Sequence, residues 1–271
     1  MKDTRSQERR LAEVAAAVAL WMALGLTLHL SANAYLLAGI PLTAAFQLAV
    51  RRRPMRELWV RDARAFRLGA RGCAVAVLLA VYPAYEMVRN LRSGGAAVVT
   101  LWYLAALAGA FPAAWALRCF RRETVPTLLF CLATAGVLGV LFLAPAVILN
   151  HPARTLAARL NEGCTSLIEY IPVVFMLEEV TFRGAFDSHV HHPGERREYL
   201  TAFAVSALWG LWHIPVASGK QPLLLAIPGL IGVHGAIGTF FSISWRRSGN
   251  LMVPGFVHAV IDAVRNALLF A

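Results

Sequence analysis

Apolar stretches of about 20 residues recur along this chain from Leu11 to its C-terminus, separated by short arginine-rich segments. A stretch of that length is what an α-helix needs to cross the hydrocarbon of a bilayer. Every backbone N–H and C=O inside that layer must find its partner within the helix. The repetition therefore points to one fold class, an all-α polytopic transmembrane bundle. Composition agrees: of 271 residues, 58% are hydrophobic and 15% charged, where a soluble domain carries about 25% charged residues. The spans read at 11–31, 34–50, 72–90, 96–117, 125–148, 165–186, 198–217, 222–244 and 251–270, giving eight or nine helices. No run between them is long enough to fold separately. Residues 1–271 are read as a single membrane domain, with N-terminal helices of unspecific sequence over 11–150 and the chemistry concentrated in 165–270.

The net charge is +11, and nearly all of the basic residues are arginine. No nucleic-acid recognition motif accompanies them, so nucleic acid is not expected as a partner. They lie between apolar spans, where they set orientation. Lys2, Arg5, Arg9 and Arg10 precede the first span, and eight arginines fall in 51–71 against Glu57 and Asp62. Arg118, Arg121 and Arg122, then Arg196 and Arg197, then Arg246 and Arg247 form the later clusters. With nine crossings all of these fall on one side, the cytoplasm. The opposite loops hold Arg89, Arg92, Arg154 and Arg159. The N-terminus is thus expected in the cytoplasm of a bacterial cell. Arg9-Arg10, an apolar run and Ala32-Asn33-Ala34 imitate a signal peptide, but the run is too long for one, so an uncleaved first helix is expected. Leu58, Trp59, Val60, Phe66 and Leu68 among the arginines of 51–71 suggest an amphipathic helix lying on anionic lipid. Cys73, Cys119, Cys131 and Cys164 have no ligand spacing and read as small packing residues.

Against this background Glu178, Glu179 and Arg183 stand out, because each ionisable group at membrane depth costs about 2.5–3.5 kcal/mol. On a helix, Glu179 and Arg183 share a face and can neutralise one another. Glu178 is rotated about 100° away and is left without that partner. His213 follows a Trp-rich stretch and precedes Pro215, which should break the helix nearby. His258 and Asp262 share a face of the last span, with Arg265 and Asn266 beside them. Three spans thus bring polar groups into an apolar bundle that must satisfy them in common. Two chemistries fit. Glu178 and His213 could activate water for attack on a peptide carbonyl, with His258 and its neighbour on the oxyanion side. Alternatively Glu178, His213 and His258 could hold a divalent metal that activates the water.

These residues carry a resemblance. Glu178-Glu179-x-x-x-Arg183, Trp209-x-x-x-His213 and His258-x-x-x-Asp262 resemble, in order and spacing, the three motifs of the CPBP family, the CAAX proteases and bacteriocin-processing enzymes. The resemblance covers about 165–270. It implies a glutamate-type intramembrane endopeptidase acting without a cofactor on a membrane-anchored protein or peptide, related to the type II CAAX prenyl endopeptidases. Glu178 is then the general base, His213 its partner on the water, and His258 and Asp262 the oxyanion-side pair. Glu179 and Arg183 support the site. Asp262 departs from the prenyl endopeptidases, which carry Asn there. An ionised carboxylate cannot donate to an oxyanion, so Asp262 is expected to orient His258, with pairing to Arg265 as the other role. The alternative is a non-catalytic relative: a membrane scaffold, an immunity protein or a transporter partner.

Depths along the spans place Glu178 and His258 closer to the arginine-rich side than His213, which lies about 22 Å beyond Glu198. The site is expected on the cytoplasmic half, under a polar entrance formed by Glu195 to Tyr199. Asp187, His189, His191 and His192 read as a solvated loop before a metal site. His234, in a glycine-rich span, is a weaker candidate for facing the cavity, and Glu169 for lining the approach to Glu178.

Overall fold

Ser6 and Ser31 set where the first two helices begin, each hydroxyl accepting from a backbone N–H three residues on. The computed structural model describes residues 6–150, 155–217 and 222–269; Lys2, Arg5 and Arg154 lie outside them. Helix α1 is Gln7–Thr27 and α2 is Ala32–Val50. Gly69–Arg92, Ala97–Arg118 and Arg122–Leu149 form α3, α4 and α5. The sixth crossing is broken into α6, Leu156–Val174, and a π-helical α7, Val180–Asp187. Glu198–Ala217, Leu223–Ser248 and Met252–Leu269 complete the bundle as α8, α9 and α10. Eight of these helices are long and apolar enough to cross a membrane. The broken sixth carries Arg159, Glu162 and Glu169 as well as the glutamate pair.

The arginine clusters meet at one end of the bundle. Arg10 Nη1 donates to the His189 carbonyl (3.4 Å), Arg61 Nη2 to the Arg246 carbonyl (2.8 Å) and Arg118 Nη1 to the Arg67 carbonyl (2.7 Å).

The segment between α2 and α3 is not a surface helix, contrary to expectation. Only Met55–Leu58 makes a helical turn, and Glu57 and Leu58 are buried. The Trp59 indole N–H donates to the Phe175 carbonyl (2.6 Å), and Val60 bridges to Asn250. Leu251 N donates to the Trp59 carbonyl (2.9 Å). The apolar residues at 58–60 serve the bundle rather than lipid. Gly184 lets the strap close, since a Cβ there would collide with the Leu58 carbonyl.

The loop after α7 is not simply solvated either. Asp187 is fully buried and takes a two-pronged pair from Arg246 (Nε 2.9 Å, Nη2 2.7 Å), whose Nη1 also reaches Glu195 (2.7 Å). His189 Nε2 lies 2.8 Å from Glu13. Burial pushes the Glu195 carboxyl up, but the Thr201 hydroxyl and Arg246 outweigh it and hold the group below the usual carboxylate range. A depressed carboxyl stabilises the fold above its ordinary value, near 4.3, and loses that contribution as pH falls through the depressed one.

At the opposite end, Trp21, Tyr35 and Trp212 pack with ring centroids 4.9–5.6 Å apart. The Trp21 N–H donates to the Tyr35 carbonyl (2.9 Å), and the Tyr35 hydroxyl to the Trp212 carbonyl (2.8 Å). The α1–α2 pair is thereby fixed against the residue preceding His213.

Replacing Arg246 with Met leaves two buried carboxylates without their cation. Detergent-solubilised Arg246→Met should lose roughly 3–5 kcal/mol of stability against unfolding. In the wild type, thermal stability should fall as pH drops below about 4, and Glu195→Gln should lack part of that fall.

Candidate active site

Helix α6 stops at Val174, and Phe175 to Leu177 make a turn in which both Met176 N and Leu177 N donate to the Val173 carbonyl. Helix resumes at Glu178 and widens into the π-helix of α7, a local distortion often found at functional sites. The two glutamates leave this junction in different directions.

Glu179 is wholly buried, 3.3 Å from the equally buried Arg183. Arg183 Nη1 donates to the Ser206 (3.3 Å) and Ser242 (3.4 Å) hydroxyls. Its guanidinium lies over the Trp209 and Phe241 rings, 5.0 and 5.7 Å from their centroids. His258 Nδ1 donates to Glu179 (3.0 Å). The self-neutralising pair read from the sequence is thus present, with a histidine added to it.

Glu178 instead faces a cavity of about 460 Å³. The Trp209 indole N–H donates to its carboxylate (2.9 Å), and His213 Nε2 lies 3.8 Å from the same oxygen. Pro215 breaks α8 at His213, which becomes the cap of the Glu198–Trp212 run. His213 Nδ1 lies 2.9 Å from the Trp209 carbonyl. That carbonyl only accepts, so Nδ1 carries a proton, and in the neutral ring Nε2 then presents a lone pair toward Glu178. His234 repeats the pattern with Nδ1 on the Leu230 carbonyl (2.9 Å). Its ring centroid is 4.2 Å from that of His213 and 4.7 Å from that of Trp209. Its only sequence signal was the glycine-rich span. The close approach comes from Gly210, whose absent side chain admits the Leu230 carbonyl.

Asp262 lies 3.6 Å from His258 Nε2 but 2.8 Å from Arg265 Nη1. Its direct partner is therefore Arg265, and its contact with His258 is longer. Glu178, His213, His234, His258, Asp262 and Arg265 all line the one cavity. Its other walls are mostly apolar, Leu36, Trp102, Phe142 and Val233 among them. Tyr170, not Glu169, faces it from α6. Among the described residues, no three His, Cys, Asp or Glu side chains form a metal-holding group.

The Glu195 to Tyr199 segment, expected at the entrance, does not line the cavity. Toward the arginine-rich end, fully buried Phe175, Phe182, Arg183 and Phe241 close the site. The cavity reaches the other end, past Ala32 and Asn33 in the first turn of α2 and Val216 near the end of α8. Glu195 and Thr201, near the expected entrance, are tied down by Arg246. The depths meet because α10 starts inside the bundle. Leu251 and Val253 are fully buried where the 58–60 strap passes, so His258 needs only six residues beyond Met252 to reach His213.

The fold and its apolar helices define an integral membrane protein with a mostly apolar chamber inside the bundle that holds a cluster of ionisable side chains. Residues 162–264 match the family model described as type II CAAX prenyl endopeptidase Rce1-like, which bears out the resemblance carried by the three motifs and supports an intramembrane protease-type function. No curated protein and no solved structure matches the chain.

Gly238 gives a direct test of the Arg183 seat. A Cβ there would lie 2.7 Å from both Arg183 Nη2 and Ser206 Oγ, whereas one at Gly232 meets nothing within 4 Å. Gly238→Ala should lower stability by about 1–3 kcal/mol through overpacking. Gly232→Ala on the same helix should be neutral or stabilising by up to about 1 kcal/mol. Thermal unfolding in detergent compares them.

Proposed function

We propose that the protein is an intramembrane endopeptidase in which Glu178 and His213 activate a water molecule against a peptide bond of a membrane-anchored protein or peptide. The observation that carries this reading is the 3.8 Å separation of two groups that both accept: the Glu178 carboxylate and the unprotonated Nε2 of His213. Two acceptors do not bond to one another. A water between them donates one hydrogen to each and turns its lone pair to the cavity.

As that oxygen attacks the carbonyl carbon, Glu178 takes its proton and later passes it to the leaving amine. The Trp209 N–H holds the carboxylate while its charge changes. His258 already donates from Nδ1 to Glu179, and in its doubly protonated form Nε2–H supplies the oxyanion donor. Asp262, an acceptor only when ionised, holds Arg265 at the same wall. Glu179 and Arg183 act as support, since neither lines the cavity.

No cofactor is assigned. A divalent metal on Glu178, His213 and His258 is the second version of the same protease. It requires three ligands to converge, and the described residues form no such group. A non-catalytic scaffold or immunity protein is the other reading. It gives no reason for a carboxylate to face a chamber beside a histidine while its neighbour carries the ion pair. The substrate is left as a class. A peptide precursor, a bacteriocin leader and the membrane tail of a surface protein all fit it, whereas prenylated tails need a prenyltransferase that bacteria generally lack.

Glu178→Gln keeps shape and removes the base. Comparison of membrane proteomes from cells carrying wild type and Glu178→Gln should reveal fragments made only by the wild type. On a substrate so found, purified Glu178→Gln and His213→Ala should each be slowed at least about 100-fold with unchanged thermal unfolding. Full turnover by Glu178→Gln would refute the mechanism. Loss of wild-type activity with a chelator, restored by metal, would select the metal version.

A further inference from the structure

The arginine clusters and the chamber mouth lie at opposite ends of the bundle. Arg61, Arg118 and Arg246 gather at one end through backbone carbonyls of neighbouring loops. Ala32, Asn33 and Val216 flank the chamber at the other. Between chamber and arginines stand Phe175, Phe182 and Phe241, fully buried, with Arg183 seated among them. Loops rich in arginine stay in the cytoplasm.

We infer that the active chamber is entered from the extracytoplasmic face, and that its substrate is a membrane-inserted polypeptide whose scissile bond lies in the outer half of the bilayer. The inference rests on the protease reading for its substrate half only; the side of access follows from charge distribution and cavity shape. A cytoplasmic C-terminal tail would have to pass the buried Arg183 and its aromatic neighbours. A segment lying in the outer half of the membrane instead meets Asn33 and then the apolar walls at Leu36, Trp102 and Phe142. A mostly apolar chamber suits an unwound stretch of a membrane-spanning segment, with Glu178 and His213 on its wall.

The test is side-specific labelling in a bacterial host. Cys73, Cys119 and Cys164 are replaced, and fully buried Cys131 is kept as a silent residue. Single cysteines are then placed at Asn33, by the mouth, and at the exposed Arg64 of the arginine-rich end. With a membrane-impermeant maleimide, Asn33→Cys should be labelled in spheroplasts and lose its labelling in inverted vesicles. Arg64→Cys should show the reverse. Labelling of Asn33→Cys only in inverted vesicles, or from neither side, overturns the inference. The pattern should be unchanged when Glu178→Gln is added, so it reads access whether or not the protein is a protease. Wild-type-specific cleavage sites should map to the outward halves of membrane segments. Sites on the cytoplasmic side would overturn the inference and leave the protease standing. No wild-type-specific cleavage would overturn the protease reading and the substrate half, while labelling still decides the side of access.

Discussion

Glu179 and Arg183 sit 3.3 Å apart with no exposure to solvent, and the second half of the bundle is arranged around them. A charge at this depth is tolerated only when paired and hydrogen-bonded. Arg183 answers that demand with its ion pair and with Nη1, through partners from three other helices (Ser206 from α8, Ser242 from α9 and, through Glu179, His258 from α10), while Nε and Nη2 make no hydrogen bond. Two aromatic faces complete its seat. A hydrophobic pair of similar volume would fill the space at no loss of stability. What the ion pair adds is position, because it holds four helices in one register and leaves Glu178 as the carboxylate turned to the chamber.

Small residues make that register attainable. Gly210 lets the backbones of α8 and α9 approach until the His213 and His234 rings pack with centroids 4.2 Å apart, and Gly238 makes room for the guanidinium. Gly184 admits the strap that covers the start of α10. Packing, not apolar burial, drives helix association in lipid, so missing side chains at crossing points matter more than added ones. The break at Phe175 to Leu177 and the π-helix after it complete the device. The break sets the direction in which helix resumes at Glu178, and the 100° step between consecutive helical residues then turns Glu179 into the core and Glu178 to the cavity.

Much of this was legible in the sequence where chemistry is local. Span length and arginine alternation give the crossings, and i to i+4 spacing gives the Glu179–Arg183 pair, as residues on one stretch of chain carry that information. The three motifs named Glu178, His213, His258 and Asp262, which do line one cavity. What escaped reading depends on contacts between distant segments. The strap at 58–60 resembles a surface helix until Trp59 is seen to bond Phe175, 116 residues away. Asp187 looks solvated until Arg246, 59 residues on, encloses it. The start of α10 is hidden for the same reason: Leu251 and Val253 are fully buried beneath a strap that arrives from about 190 residues earlier in the chain.

The matched segment, 162–264, holds the polar residues proposed to react but does not enclose them. The walls at Leu36, Trp102 and Phe142 come from α2, α4 and α5, which precede it. So do the Trp21–Tyr35 pair that anchors Trp212 beside His213, and the strap that buries the start of α10. Residues 11–150 carry no motif because packing and exclusion of water constrain volume and apolarity, which many sequences satisfy. The reacting groups need particular atoms at particular distances, which few do. The chain thus divides its information unevenly, with a motif-bearing segment that carries the polar groups of the chamber and a motif-free one that supplies much of its apolar wall.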